Sequence, residues 1–217
     1  MKINRDMVTR AGLKLLNEVG LERLTLRLLA GRLKVQAATL YWHFKSKGEL
    51  IDEMATVVLA EGTAQLVPVK NSTDWAVWAA AFGMGLRRTL LAYRDGARMV
   101  AATRLTNTEY MKTAERIATK IVEAGFTVRQ TVVLLNTIYN YTLSFVTEEQ
   151  AVFPRPGERS PQYDIAKRNA KLDGNELPIL REAGAILFDR FDRRYKEGLD
   201  LILRGAKLQD VRKGTRR

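Results

Sequence analysis

Apolar residues recur every three or four positions along most of the chain, which is the spacing of one face of an α-helix. No stretch alternates between apolar and polar residues in the way that a half-buried strand does. We therefore predict an all-α protein. The predicted helices cover residues 4–18, the short stretch after Thr25, 36–43, 47–64, 74–92, 107–124, 128–150, 178–187 and 190–208.

Capping patterns define several of these predicted boundaries. Asn4 is a typical N-cap residue, and Gly20 is a typical helix stop. Ser46, Thr106 and Thr127 are each followed three positions later by glutamate or glutamine. This is the capping-box pattern, in which the two side chains each accept a backbone N–H at the start of a helix.

The first three predicted helices, with a tight connection at residues 33–36, indicate a helix-turn-helix motif. In this motif the second helix lies in the DNA major groove, and its first residues contact base edges. The apolar residues that would hold the two helices together are Leu29, Ala30, Leu33, Val35 and Leu40. Gln36 and Thr39 are hydrogen-bonding residues near the start of the reading helix. The residues at its far end, where phosphates would pass, are Tyr41, His43, Lys45 and Lys47.

Four consecutive ring-bearing residues occupy positions 41–44 and point in all directions around a helix, so they cannot all be buried. We expect Phe44 and part of Trp42 to face the core of the first domain. Tyr41 and His43 would then face DNA phosphates.

The net charge favours a polyanionic partner. Lys and Arg number 36 against 24 Asp and Glu, which gives a formal charge of +12 and a pI near 10.1. A field of this sign attracts nucleic acid or an anionic membrane surface. Residues 1–50 hold ten basic and four acidic residues, so the excess surrounds the predicted motif. The last fourteen residues hold six basic residues and one acidic residue, which is also the composition of a frayed, solvated end.

The composition excludes several classes of function. There are no cysteines, so disulfides, thiolate zinc sites and cysteine nucleophiles are excluded. No apolar run approaches the roughly 20 residues that span a bilayer, so we expect a soluble cytoplasmic protein without a membrane partner. His43 is the only histidine, and no glycine-rich phosphate loop is present. Asp189 and Asp192 lie beside arginines and are typical of a salt-bridged helix face, so we predict no enzyme activity.

The string EVGLERLTLRLLAGRLKVQAATLYWHFKSKGEL, residues 18–50, resembles the DNA-binding domain of the tetracycline-repressor (TetR) family. The shared features are E-x-G, L-T-x-R-x-L-A-x-x-L and T-L-Y-W-H-F-x-S-K. Other segments resemble the ligand-binding domain of the tetracycline repressors themselves, namely RRTLLAYRDGAR (87–98), EAGF (123–126), EEQ (148–150), LPILREA (177–183) and EGLDLILRG (197–205). The resemblance implies a DNA-binding domain at 1–46 and a helical ligand-binding and dimerisation domain at 47–217.

Within the second domain we predict a mobile loop at about 151–176, where three of the five prolines occur, with one helical turn near 163–171. A basic tail covers about 206–217. The resemblance further implies a homodimer that binds a palindromic double-stranded DNA operator, with helices 128–150 and 190–208 pairing with their symmetry mates. One apolar stripe is consistent with this pairing and comprises Val132, Leu135, Tyr139, Leu143 and Val146.

The resemblance also implies which residues contact DNA. The matching positions are Arg27, Gln36, Ala37, Thr39, Tyr41, Trp42, His43 and Lys47. Ala37 stands where tetracycline repressors read a base with glutamine, and Ala38 replaces a proline. Alanine can contact a thymine methyl but cannot hydrogen-bond to a base edge, so the operator should differ from the tet operator. Lys34 stands where the turn usually carries glycine, which costs about 1 kcal/mol if φ is positive.

On the ligand side the chain departs further from the tetracycline repressors, which bind their drug as a magnesium chelate. The family's two pocket histidines fall on Val100 and Thr63. Glu148 matches the acidic residue near the metal, although a lone carboxylate at a helix end is more often a solvated or paired surface group. We therefore expect no metal, no other cofactor, and a hydrophobic or drug-like small-molecule effector. The pocket candidates, each of which could equally be ordinary core, are Thr63, Phe82, Leu86, Val100, Thr103, Leu105, Val132, Leu135 and Tyr139.

In the family, the segment that includes Arg104 shifts on ligand binding and pushes the helix corresponding to 47–64, which spreads the two reading heads. Operator half-sites lie about one DNA turn apart, ~34 Å, so spreading breaks the register. Such a device requires a ligand that binds the spread state better than the DNA-competent state. The leading hypothesis is a ligand-responsive repressor. The alternative is a ligand-independent regulator or architectural protein whose second domain only dimerises.

Overall fold

The computed structural model describes residues 3–70, 72–101, 103–155 and 157–214, with side chains up to residue 206, so residues 215–217 of the predicted basic tail lie outside the described residues. Within these ranges the only β-type pairing is an isolated bridge between Arg155 and Glu158, and the all-α prediction is confirmed. The α-helices are α1 (Arg5–Arg23), α2 (Leu26–Leu33), α3 (Ala37–Tyr41), α4 (Lys47–Gly62), α5 (Trp75–Leu91), α6 (Gly96–Val100), α7 (Glu109–Glu123), α8 (Val128–Val152), α9 (Ile165–Asn169), α10 (Pro178–Phe188) and α11 (Phe191–Gly214).

Helices α1 to α4 share one small core at the N-terminal end. Its fully buried members come from all four segments and include Val8, Leu16, Leu29, Leu40, Phe44, Leu50 and Met54. The predicted N-cap at Asn4 is confirmed, because its side chain accepts a hydrogen bond from the Met7 N–H at 2.8 Å. Thr25 caps α2 in the same way and accepts one from the Leu28 N–H at 3.1 Å. Since Leu50 and Met54 belong to α4, this helix is packed into the N-terminal core as well as the body.

The predicted helix stop at Gly20 is a local break rather than an end. Gly20 adopts φ 80° and ψ 168°, which a residue with a Cβ rarely adopts, and helical residues continue to Arg23. A short non-helical link, Leu24 and Thr25, then leads into α2.

The body is built around α5, which packs against α4, α7, α8 and α11. Trp78, Phe82, Leu86 and Leu90 form a buried row on this helix, and Trp75 at its start is half-buried. Gly85 allows close approach of the backbone that follows α4, because a Cβ at this position would overlap the carbonyl of Gln65. The core of the body is completed by Ile117, Ile121, Leu134, Ile138, Phe145, Val146, Tyr195 and Leu199.

Three local predictions about helix starts have different outcomes. The capping box at Thr127 is confirmed by reciprocal bonds with Gln130. The box predicted at Thr106 is wrong, because α7 begins at Glu109 and the Glu109 N–H is accepted by the Asn107 side chain at 3.1 Å. Ser46 accepts the Glu49 N–H as predicted, but the Glu49 carboxylate accepts from Lys45 at 2.7 Å instead of from Ser46.

The predicted apolar stripe on α8 is not its buried face. Val132 is 59% exposed, and Leu135, Tyr139 and Leu143 are half-buried, so of that stripe only Val146 is buried. The buried row of α8 is shifted by one position and comprises Thr131, Leu134, Ile138, Thr142 and Phe145. The predicted stripe therefore faces the outside of the single subunit at its N-terminal end.

The segment 151–176 contains more regular structure than one turn. A 3-10 turn at Pro161–Tyr163 precedes α9, which confirms the helical turn predicted near 163–171. Asp164 caps α9 by accepting the Lys167 N–H at 3.0 Å.

Candidate nucleic-acid interface and effector domain

The turn between α2 and α3 is built on Lys34, which adopts the left-handed conformation at φ 56° and ψ 40°. Its N–H is accepted by the carbonyls of Ala30 and Gly31, which closes the end of α2. Lys34 thus keeps the positive φ that a glycine, the usual residue at this position in the family, would adopt without strain. This geometry stores roughly 1 kcal/mol of strain in the turn.

The reading helix α3 presents polar and aromatic side chains to solvent. Leu40 and Phe44 are completely buried, as expected. Tyr41 is 50% exposed and Trp42 is 82% exposed, so the expected partial burial of Trp42 is wrong. The ring of Trp42 stands out from the surface with the Lys45 ammonium 6.0 Å from its centroid. Trp42 therefore belongs to the outer surface of the motif together with Tyr41.

The other residues predicted to touch DNA differ in exposure and in their hydrogen-bond partners. Gln36 is the N-cap of α3 but makes no side-chain cap bond, so its amide is available for another partner. Arg27, Gln36 and Lys45 are exposed, and Ala37, Thr39 and His43 are half-buried. Lys47 differs from them, because its ammonium donates to the carbonyls of Leu21 at 2.7 Å and Glu22 at 3.4 Å.

Arg5 holds the end of the reading helix, a role that the sequence analysis missed. Its guanidinium donates to the His43 carbonyl at 2.6 Å and pairs with Glu49 at 2.9 Å and Glu53 at 3.2 Å. The guanidinium carbon also lies 4.2 Å from the centroid of the Phe44 ring. A hydrogen bond from the Lys45 N–H, followed by the contact with Arg5, lowers the pKa of the Glu49 carboxyl. One side chain on α1 thereby fixes the segment that follows α3.

A set of polar contacts connects the end of α1 to the turn between α5 and α6. The Leu21 N–H donates to the Asp95 carboxylate at 2.8 Å, and the Arg94 N–H donates to the Asn17 side chain at 2.9 Å. The Arg94 guanidinium donates to the Glu18 carbonyl at 3.0 Å. A Cβ at Gly20 would lie 3.0 Å from the Asp95 carboxylate, so the break in α1 also makes room for this contact. We name these contacts the α1 joint.

Helix α4 is in turn bonded to the segment after α6. The Arg104 N–H donates to the Asp52 carboxylate at 3.0 Å, and the Thr106 N–H donates to the Thr56 hydroxyl at 2.9 Å. Both acceptors lie on α4, whose first turn lies beside the reading head. A displacement of residues 104–106 would therefore pull directly on α4.

The predicted effector residues fall into three groups by exposure. Phe82, Leu86 and Val100 are buried in the body, and Thr63, Thr103, Leu105, Leu135 and Tyr139 are half-buried. Val132 is exposed at the surface of α8. Burial raises the pKa values of Tyr139 and of the neighbouring Tyr110. The two phenols thus provide polar groups within an otherwise apolar region.

The carboxylates of Glu148, Asp189 and Asp192 are each paired with an arginine. Glu148 pairs with Arg194 at 3.3 Å, which agrees with its interpretation as a paired surface group. Asp192 pairs with Arg87 at 2.6 Å and Asp189 with Arg159, so their predicted pairing along one helix face is wrong. The long-range partners bring α5, α8 and α11 together.

The residues present do not suit a magnesium ion. Val100, at the position of the family's metal-binding histidine, has an apolar side chain with 1% exposure. Nowhere in the described part of the chain do three or more His, Asp or Glu side chains come together as a possible metal site. The helices that are described include none long and apolar enough to cross a membrane.

Large apolar side chains are exposed on three helices of the body. They are Val128, Val132 and Val133 on α8, Ile179, Leu180, Ile186 and Leu187 on α10, and Leu201 on α11. Exposed large apolar side chains that form a contiguous patch typically mark an interface with another protein chain.

Both the N-terminal and the C-terminal part of the chain match models of known protein families. A family model described as "Bacterial regulatory proteins, tetR family" matches residues 8–54, and one described as "Tetracyclin repressor-like, C-terminal domain" matches residues 67–209. The class A tetracycline repressor from transposon 1721 of Escherichia coli is 39% identical over 209 residues, which cover 94% of this chain and 90% of that protein.

Solved structures agree with these matches. A possible TetR family regulator from Streptomyces coelicolor A3(2) has a TM-score of 0.83 and 32% identity, with 96% of this chain and 100% of that chain covered. The class A repressor in complex with 5a,6-anhydrotetracycline and magnesium has a TM-score of 0.67 and 33% identity, with 95% and 98% covered. The chain therefore belongs to the tetracycline repressor family, which confirms the expectation of a dimeric, ligand-responsive transcriptional repressor.

Proposed function

We propose that this repressor recognises an operator of its own and is released from it by a hydrophobic small molecule that binds without obligatory magnesium. Residues 1–46 form the reading head in this proposal, and residues 47–217 form the ligand-binding and dimerisation domain. Helix α4 belongs to the second domain by sequence but supplies Leu50 and Met54 to the core of the first. It therefore provides the mechanical connection between the two.

The proposed reading head consists of Gln36, Ala37 and Thr39 toward the bases, with Tyr41, Trp42, His43 and Lys45 toward the backbone. Gln36 supports base contact because it is exposed and its amide is not used for capping. Arg27 on α2 lies where the first helix of the motif would cross a phosphate. Lys47 acts in this proposal chiefly through the α1 carbonyls to which it is bonded, with phosphate as a further contact.

The effector site proposed here is the apolar region around Phe82, Leu86 and Val100, with Thr63, Thr103, Leu105, Leu135 and Tyr139 at its edge. The observation that carries the metal-free proposal is the burial of Val100 in place of an imidazole. The phenols of Tyr110 and Tyr139 can orient an apolar ligand by hydrogen bonding. Val132 is assigned to the surface that pairs with the second subunit.

The proposed response follows from the bonded path through the body. A ligand that moves residues 103–106 displaces Asp52 and Thr56 through the two hydrogen bonds described above. Helix α4 then carries this displacement to Leu50 and the reading head. The ligand acts only to the extent that it binds the displaced state more tightly than the DNA-bound state. The ligand-independent alternative is not favoured, because relatives have been solved with bound effectors.

Two experiments test these assignments. Selection of binding sites from random DNA yields the operator, and Gln36→Ala should then change the preferred bases while Tyr41→Ala should weaken all operators alike. Thermal melting against a library of lipophilic compounds should identify a stabilising ligand in the presence of EDTA. Filling the pocket with Thr103→Trp, at a half-buried position, should abolish this stabilisation. If every compound that raises the melting temperature does so only in the presence of magnesium, the metal-free proposal is overturned.

A further inference from the structure

A cavity with a volume of about 740 Å³ lies beside the α1 joint, away from the proposed effector site. Asn17 of α1 and Arg94 of the α5–α6 turn form one wall, and the end of α8 and the start of α11 form the other. None of the proposed effector residues lines it. Its volume lies within the roughly 300–1,000 Å³ of small-molecule sites in proteins.

The interior of this cavity is largely apolar and aromatic. Leu91, Tyr93, Phe153 and Phe191 belong to its lining, and Phe191 is 6% exposed. The rings of Phe153 and Phe191 pack edge to face with their centroids 5.9 Å apart. A flat apolar group could stack against such a surface, since aromatic rings favour offset and edge contacts of this kind.

The carboxylates in the wall are already neutralised by arginines. Glu149 accepts two hydrogen bonds from Arg87, at 2.6 and 3.0 Å, and Asp192 pairs with the same guanidinium at 2.6 Å. Asp189 pairs with Arg159. These groups therefore repel an incoming anion less than three free carboxylates would.

Two arginines that line the cavity lack such a partner. Arg190 forms no ion pair among the described residues and stands in the left-handed conformation, with φ at 51°, at the start of α11. The Arg94 guanidinium bonds to a backbone carbonyl, that of Glu18, and to no carboxylate in the described part of the chain. Guanidinium groups without a carboxylate partner can bind carboxylates and similar anions through paired hydrogen bonds.

We infer that this cavity is a second ligand site, which binds an aromatic carboxylate or a similar small aromatic anion. The ring lies against Phe153 and Phe191, and the anionic group meets Arg190 and Arg94. The occupant contacts both sides of the α1 joint, because Asn17 belongs to α1 and Arg94 to the body. This site is independent of the proposed effector site, so either one can exist without the other.

Calorimetric titration of the full-length protein with 2-naphthoate and with 2-naphthamide tests the inference. The two probes share one ring system and differ in charge. We expect naphthoate to bind about tenfold or more tightly than the amide, because the arginines contribute charge-assisted hydrogen bonds. Failure of naphthoate to bind, or equal binding of the two probes, would overturn the inference.

Three variants locate the binding. Arg190→Asn removes the charge and keeps a residue that tolerates the left-handed conformation, so naphthoate should bind about tenfold more weakly to it. Ala92→Trp places a large side chain at the exposed rim and should block both probes. Arg193→Gln removes an equal charge from α11 outside the cavity and should bind naphthoate like the wild type. Wild-type affinity in Arg190→Asn or in Ala92→Trp would contradict the site.

Discussion

Arg5 of α1 lies 2.6 Å from the backbone carbonyl oxygen of His43, at the end of the reading helix. The same guanidinium pairs with Glu49 and stacks on Phe44, so the reading helix is held from the first residue of α1. DNA recognition depends on side-chain positions at the level of single hydrogen bonds. We therefore expect Arg5 to act as a positioning residue for operator binding without touching DNA itself.

Arg5→Met should weaken operator binding by about tenfold, or about 1.4 kcal/mol, while keeping the apolar stem of the side chain. The free energy of unfolding should fall by only about 1 kcal/mol, because the lost bonds are partly exposed. Fluorescence anisotropy with the operator and urea denaturation measure the two quantities. Arg10→Met is the matched control, since Arg10 lies on the same helix and pairs with Asp6 and Glu61 instead. Equal losses of operator affinity in both variants would contradict the positioning role.

Lys34→Gly should stabilise the protein by about 1 kcal/mol, because glycine adopts positive φ without the strain that a Cβ causes. Urea denaturation would show this as a higher midpoint with an unchanged slope. Lys14→Gly provides the opposite control, because a glycine inside α1 should cost about 1 kcal/mol. Destabilisation by Lys34→Gly would mean that the lysine side chain contributes more than the strained backbone costs.

The sequence predicted most helices because their apolar faces are long and periodic, as on α1, α5 and α8. Helix α6 was missed by this reasoning because it has only five residues and begins after Asp95, which has a positive φ of 55°. The exposure of Trp42 could not be read from its type, since large aromatic residues are usually buried. The contacts of Arg5 and Lys47 could not be predicted from the sequence either, because both side chains donate to backbone carbonyls that are distant in sequence. The α8 stripe predicted to pair with the symmetry mate lies one position away from the row that is buried within the subunit, and apolar periodicity alone does not distinguish the two rows.

Arg87→Met should destabilise the body by about 3–5 kcal/mol, because it leaves Glu149 without its buried partner. The side chains of Arg87 and Glu149 are 7% and 13% exposed. The double variant Arg87→Met, Glu149→Leu should recover much of this loss, since it removes both charges together. Arg193→Met, on an exposed ion pair, should change the free energy of unfolding by less than about 1 kcal/mol. If the double variant is no more stable than Arg87→Met, the unpaired Glu149 carboxylate is not the cause of the destabilisation.

The stability of the reading head should depend on pH through Glu49. Its folded-state pKa lies below the ordinary value of 4.5, so folding favours the ionised form. This contribution is fully present above pH 4.5 and is lost as the pH falls through the lower folded-state pKa. Glu49→Gln should therefore be less stable than the wild type at pH 7, and the difference should shrink below pH 4.5. Glu115→Gln, at an exposed position, serves as the control. If the stability difference between Glu49→Gln and the wild type is the same at all pH values, the role assigned to the Glu49 carboxylate is contradicted.

Operator release under metal-free conditions tests the central proposal most directly. The labelled operator obtained by selection is bound to the wild-type dimer in a buffer with EDTA, and the stabilising lipophilic compound is titrated while anisotropy is followed. We expect complete release with the same midpoint when the EDTA is replaced by magnesium, because Val100 removes the imidazole that a metal would need. Retention of the operator in EDTA with release only in magnesium would contradict the proposal.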